Sequence, residues 1–122
     1  MADRFSETLM DHFLDPRNRR AIPHAHGTGI SGQPGEGPFM IIQILIDSDR
    51  ITDAAFQSHT CGVTVACGSV LTELLHGMPV AEACRLTCDD LIRALGDVPP
   101  DKRHVPDAAI RTLHAALNEA VV

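Results

Sequence analysis

The chain has 122 residues, 44% of them apolar, which is the size of one compact domain spanning residues 1–122 around one core. Its net charge of −6, four Phe and absence of Trp and Tyr argue against a nucleic-acid partner, which would reward clustered cations and stacking rings. The charged N-terminus lacks the apolar run of a signal peptide and no segment approaches the roughly 20 apolar residues of a membrane span, so a cytoplasmic location is expected and no membrane partner.

The spacing of Leu9, Met10 and Phe13 predicts a helix over Ser6 to Leu14, capped by Ser6 and ended before Pro16. The Gly- and Pro-rich stretch from Ala21 to Pro38 reads as loop with a short strand at Thr28 to Ser31. Two strands follow, Phe39 to Ile46 and Ile51 to His59, joined by the turn-like "DSDR". The first is apolar on both alternations except at Gln43, so both of its faces should be covered. After "HTCG" the period changes: Val63, Cys67, Val70 and Leu74 mark a helix that ends at "HGMP", with Gly77 just past its end. Thr87 reads as the cap of a further helix with Leu91 and Leu95 inward. "GDVPPDKRHVP" reads as loop, and from Asp107 the positions Ile110, Leu113, Leu117 and Val121 mark a terminal helix. Helix, strands, then helices is the α+β order, a small antiparallel sheet packed on one side by helices.

Three of these loops carry a group able to hold a metal: Glu36 in "GEGP", Cys61 in "HTCG" and His104 in "DKRHVP". Cys61 stands immediately before a helix, where backbone N–H groups and the positive end of the dipole favour the thiolate. Thiolate, imidazole and carboxylate together suit zinc with an open fourth position, or iron. Cys67 shares the apolar stripe of its helix and reads as core packing, since six residues of helix carry it roughly 9 Å from Cys61. Cys84 and Cys88 are four apart but straddle the Thr87 cap, so they read as packing or incidental surface thiols. His24 and His26 read as loop residues without a role, and "RNRR" at Arg17 to Arg20 as a solvated or partner-facing charge run.

Much of the chain resembles the IscU/NifU-type iron-sulfur cluster scaffold family, through "FSETLMDHFLDPRN", "GTGISGQPGEGPFMIIQI", "ITDAAFQSHTCGVTVACGSVLTELLHGMPV", "VPPDK" and "KRH". The resemblance implies an α+β scaffold on which a 2Fe-2S cluster is built from iron and from sulfur delivered by a cysteine desulfurase. The cluster then passes to acceptor proteins, often with a dedicated chaperone. It also implies departures. Where the family has Cys-Gly-Asp this chain has Glu36, Gly37 and Pro38, and where the family has Lys-x-His-Cys it has Lys102, Arg103, His104 and Val105. Cys61, His104 and Lys102 keep family positions, with Lys102 assisting sulfur transfer or balancing charge. The chaperone motif stands as Val98, Pro99, Pro100, Asp101 and Lys102, with an acid in place of its Val.

The expectation is a scaffold, not itself a catalyst, that binds iron, a cluster or zinc at Glu36, Cys61 and His104. Two other classes stay open: a degenerate paralogue acting as a binding or regulatory module, and a small thiol enzyme with Cys61 as nucleophile and His104 as base. The oligomeric state is open as well, and a dimer would let two Cys61 thiolates share one cluster across a twofold axis.

Overall fold

The computed structural model describes residues 5–33, 36–58 and 62–120, with side chains for all of these except 36–38. Helix α1 spans Glu7–Leu14, and Ser6 caps it by accepting from Leu9 N at 3.0 Å. The same hydroxyl donates to Leu95 O, tying the start of α1 to a helix far along the chain.

Strands β1 (Gly27–Gln33), β2 (Glu36–Asp47) and β3 (Arg50–Gln57) form one antiparallel sheet in the order β1-β2-β3. β1 is longer than the Thr28 to Ser31 segment expected. The β2–β3 connection is a tight hairpin, with Asp47 opposite Arg50 and positive φ at Ser48 and Asp49, the backbone twist that a two-residue turn between twisted strands requires. β2 is covered unequally. Met40, Ile42 and Ile44 are buried, whereas Ile41, Gln43 and Leu45 on the other face are half-buried. Part of that outer cover is the chain at Ile22, whose N–H and carbonyl are both bonded by the Gln43 amide.

Helices α2 (Gly62–Leu75), α3 (Val80–Ala83), α4 (Cys88–Leu95) and α5 (His104–Ala120) follow, with a 3₁₀ turn at Pro100–Lys102. α2 and α5 pack on the sheet, and α4 packs against α2 and α5. α2 is the central helix, buried around most of its circumference, with Cys67 wholly enclosed as the stripe predicts. Leu74 departs from that stripe and is 40% exposed; Leu71 and Leu75 take the inward positions instead. α3 was not legible in the sequence, because four residues are too few for a period. α4 carries the expected cap in full: the Thr87 hydroxyl accepts from Asp90 N, the Asp90 carboxylate accepts from Thr87 N, and Leu91 and Leu95 are buried.

β1 lies directly against the backbone of α5. A Cβ on Gly27 would fall 2.0 Å from Ala116 O, and one on Gly29 2.0 Å from Thr112 O, so only glycine permits this approach. α5 begins at His104, three residues before the expected start at Asp107. Pro106 is tolerated there because the first N–H groups of a helix have no acceptor in it.

The "RNRR" run is exposed at Arg19 and Arg20, as a solvated charge run would be, and half-buried at Arg17 and Asn18, where it is tied to the sheet and helices. Asn18 O accepts from Phe56 N and Phe56 O accepts from Arg20 N, so the run lies parallel to β3 at its outer edge. The Asn18 amide bonds Thr72, and the Arg20 guanidinium pairs with Asp53 at 2.6 Å. Beside it, buried His12 lies 2.6 Å from the Ser69 hydroxyl, which also accepts from Arg17 N. Burial, reinforced by the Arg17 charge, lowers the His12 pKa and keeps the ring neutral. Among the described residues no helix is long and apolar enough to cross a membrane.

Candidate functional site

A cleft of about 20 Å³, roughly the room for one water, lies where the tip of the β1–β2 hairpin meets the first turns of α2 and α5. The hairpin contributes Ser31, Phe39 and Met40, α2 contributes Thr64, and α5 contributes His104, Val105, Ala108 and Ala109. Except for His104, Ser31 and Thr64 the lining is apolar. Two helices start here, so two positive dipole ends flank the cleft.

His104 is exposed at the cleft's edge and is the first residue of α5, not part of a loop as the sequence suggested. Its place is set by the turn before it. Val98 is fully buried and Pro99 buried, while the Arg103 guanidinium donates to Val98 O at 3.2 Å and to Asp97 at 3.2 Å. Pro100 and Asp101 are exposed and Lys102 is half-buried in the 3₁₀ turn. Glu36 is likewise not in a loop: it is the first residue of β2, paired with Gln33, and its side chain lies outside what is described. Cys61 itself lies outside the described residues, between Ser58 and Gly62, which are inside.

The described residues nearest Cys61 on either side, Ser58 and Gly62, each have a close neighbour. Ser58 is fully buried and its carbonyl accepts from the Arg19 guanidinium at 2.6 Å. On the far side the Phe13 ring covers Gly62 closely enough that a Cβ there would lie 2.8 Å from two ring carbons. Among the described residues there is no group of three or more His, Cys, Asp and Glu side chains able to hold a metal. Val105, at the position of the family's third cysteine, is 2% exposed and contributes only apolar surface to the cleft.

The other thiols are apart from His104's cleft lining. Cys84 is exposed at the end of α3, and Cys88 starts α4, so no one helix carries both. The Cys88 sulfur lies 4.0 Å from Arg103 O, and burial, with Asp107 and Asp89 nearby, raises its pKa against the thiolate. The lining residues Phe39, Met40 and Thr64 were missed in the sequence reading. Thr64 was within reach of it, since it follows Cys61 by only three positions in the sequence.

The family model described as the NifU-like N terminal domain matches residues 4–120. The chain belongs to this family. A NifU-family relative, the iron-sulfur cluster assembly scaffold protein IscU of Aquifex aeolicus, is 36% identical over 98% of this chain and 77% of its own length. Iron-sulfur cluster assembly scaffold protein IscU 1 of Archaeoglobus fulgidus is 36% identical over 93% of this chain and 74% of its own length. Among solved structures, the N-terminal part of a nitrogen-fixing NifU-like protein from Brucella abortus superposes with a TM-score of 0.78 at 9% identity, covering 95% of this chain and 93% of that one. At that identity the likeness is one of fold: a NifU-type three-stranded sheet backed by helices.

Proposed function

We propose that this chain is an iron-sulfur cluster assembly scaffold domain, residues 1–122, that holds its metal cargo at Glu36, Cys61 and His104. The observation that supports this reading is the cleft, whose lining comes from the three segments that carry those residues: Ser31 and Phe39 flank Glu36 in the chain, Thr64 follows Cys61 by three positions in the sequence, and His104 lines it directly. One thiolate, one imidazole and one carboxylate suit zinc or a single iron; a 2Fe-2S cluster, held predominantly by thiolates, needs a further ligand from outside this set. Val105 cannot supply it. In this reading Cys61 is the anchor thiolate and persulfide acceptor, Glu36 the oxygen ligand, and Lys102 the charge support for sulfur transfer. The protein carries and hands on its cargo without catalysing a reaction. Its partners are a cysteine desulfurase, acceptor proteins and a chaperone that reads the turn at Pro99, Pro100 and Lys102, and its location is the cytoplasm.

The buried, apolar Val105 supports a second reading, a degenerate scaffold that acts as a binding or regulatory module and needs no metal. One measurement separates the two: iron, zinc and acid-labile sulfide per chain in anaerobically purified protein, with Cys61→Ser and Glu36→Cys alongside. Bound metal that is lost in Cys61→Ser, and sulfide that rises in Glu36→Cys, is the expected result. Metal binding that is unchanged in Cys61→Ser refutes the site. Absence of metal and sulfide from both parent and Glu36→Cys, with capture of a desulfurase from native lysate, establishes the binding module.

A further inference from the structure

We propose that Arg103 is a latch on the turn Val98–Lys102, and that release of the latch opens this turn locally, exposing Pro99 and Lys102 while the rest of the domain stays folded. Both ends of the turn are anchored by burial: Val98 lies fully buried in the core, and Val105, just past the start of α5, is buried there as well. The chain between them has few fasteners. Pro99 and Pro100 have no N–H to donate, and Pro100 and Asp101 are exposed. The main-chain bonds that close the turn are one from Lys102 N to Pro99 O at 2.8 Å and a long one from Arg103 N to Pro100 O at 3.4 Å.

The Arg103 side chain supplies the rest by folding back across the turn. Its Nε donates to Val98 O at 3.2 Å and its Nη2 to Asp97 Oδ1 at 3.2 Å, and the same Asp97 oxygen accepts from Val98 N at 2.8 Å. The two bonds differ in weight. The ion pair with Asp97 is exposed on both sides and contributes little. The bond to Val98 O is the latch, because that carbonyl belongs to a fully buried residue, the donor is charged, and no other donor reaches it among the described residues. Without the guanidinium, water has to enter the turn to satisfy it. The remaining contact at this residue, the 4.0 Å approach of the Cys88 sulfur to Arg103 O, is to main chain and does not depend on the side chain. A partner that reads Pro99 and Lys102 as extended chain therefore meets them only once the bond to Val98 O is broken.

Lys102 is the only lysine in the chain, so a lysine-specific endoproteinase cuts it once, inside the turn, and needs extended chain there to do so. The test digests the full-length parent, Arg103→Met, Arg103→Gln and Asp97→Asn under native conditions. Each rate is divided by that of the same chain unfolded in urea, which removes the effect of the residue following the cut bond. With opening and closing fast relative to cleavage, this ratio reports the population of open turn. In the parent it is expected to exceed the unfolded fraction extrapolated from urea unfolding and to stay constant at low urea, the mark of an opening that exposes little surface. Arg103→Met is expected to raise it about tenfold, as for the loss of one hydrogen bond from a charged donor. Arg103→Gln, which keeps a donor on a shorter arm, is expected to fall between the two, and it decides the matter if Arg103→Met does not fold. Asp97→Asn, which removes the charge and keeps the oxygen that Val98 N uses, is expected to stay within about twofold of the parent. A parent ratio equal to the unfolded fraction, or Arg103 variants within about twofold of the parent, overturns the latch. Either result leaves the chaperone reading of the turn standing, since a partner can also read the turn folded.

Discussion

Two glycines of α2 invite the same substitution with unequal outcomes, and the difference follows from what each faces. A Cβ on Gly68 would lie 2.3, 2.6 and 2.7 Å from three ring carbons of Phe56, whereas carbon atoms pack at about 3.5 Å or more, so the ring has to move by more than roughly 1 Å. Phe56 is fully buried and its main chain is bonded to Asn18 and Arg20, so there is nowhere for it to go. Overpacking of this kind costs about 3 kcal/mol at its upper end, and the higher helix propensity of Ala returns about 1 kcal/mol. The expected net loss for Gly68→Ala is about 2 kcal/mol, or roughly 8 °C in Tm for a chain of this length. Phe56→Leu in the same chain relieves the clash, and a double-mutant cycle by urea unfolding should show favourable coupling of at least about 1 kcal/mol between the two changes. At Gly62 the atoms met are those of Phe13, which is 41% exposed and free to swing outward. Gly62→Ala should therefore stay within about 0.5 kcal/mol of the parent. Equal stabilities for the two alanine variants would refute the reasoning, since it assigns the whole difference to the mobility of the neighbouring ring.

Acid should weaken the fold through His12. Its folded pKa lies below the ordinary 6.5, so the unfolded chain takes up the proton first; the neutral ring's contribution is complete above 6.5 and is lost as the pH falls through the folded value. The slope from this one group cannot exceed about 1.4 kcal/mol per pH unit, and unfolding free energies of parent and His12→Gln between pH 7.5 and 5 should converge as the pH drops. Removing the reciprocal cap with Thr87→Ala should cost about 1 kcal/mol, measured by thermal unfolding; because the capping box is half Asp90, Asp90→Asn should lose less than Thr87→Ala and the pair should be sub-additive.

Signals confined to a few neighbouring residues were legible in the sequence because their physics is local. Ser6 and Thr87 cap the helices they precede, the "DSDR" turn closes the hairpin, and Leu91, Leu95 and Cys67 face inward, each from a hydroxyl, a tight turn or a 3.6-residue period. The α+β order and the family followed from the same reading. The boundaries that failed lie where a local rule meets a distant neighbour. Glu36 reads as loop but starts β2, because pairing with Gln33 extends the strand into a Gly-Pro segment. His104 reads as loop but starts α5, where Pro106 falls within the turn that needs no N–H donors.

What only the tertiary structure decided is which of these pieces touch. Sequence distance says nothing of the meeting of Ser31, Phe39, Thr64 and His104 at one cleft, or of Arg19 with the chain just before Cys61. It says nothing either of the burial of Leu71 and Leu75 in place of Leu74. Caps, turns and periods are set by residues within one turn or one strand pair, and the chain carries them in any context. Convergence is set by how helices and sheet pack, which depends on contacts such as the bare backbone of Gly27 and Gly29 against α5 that no local pattern encodes.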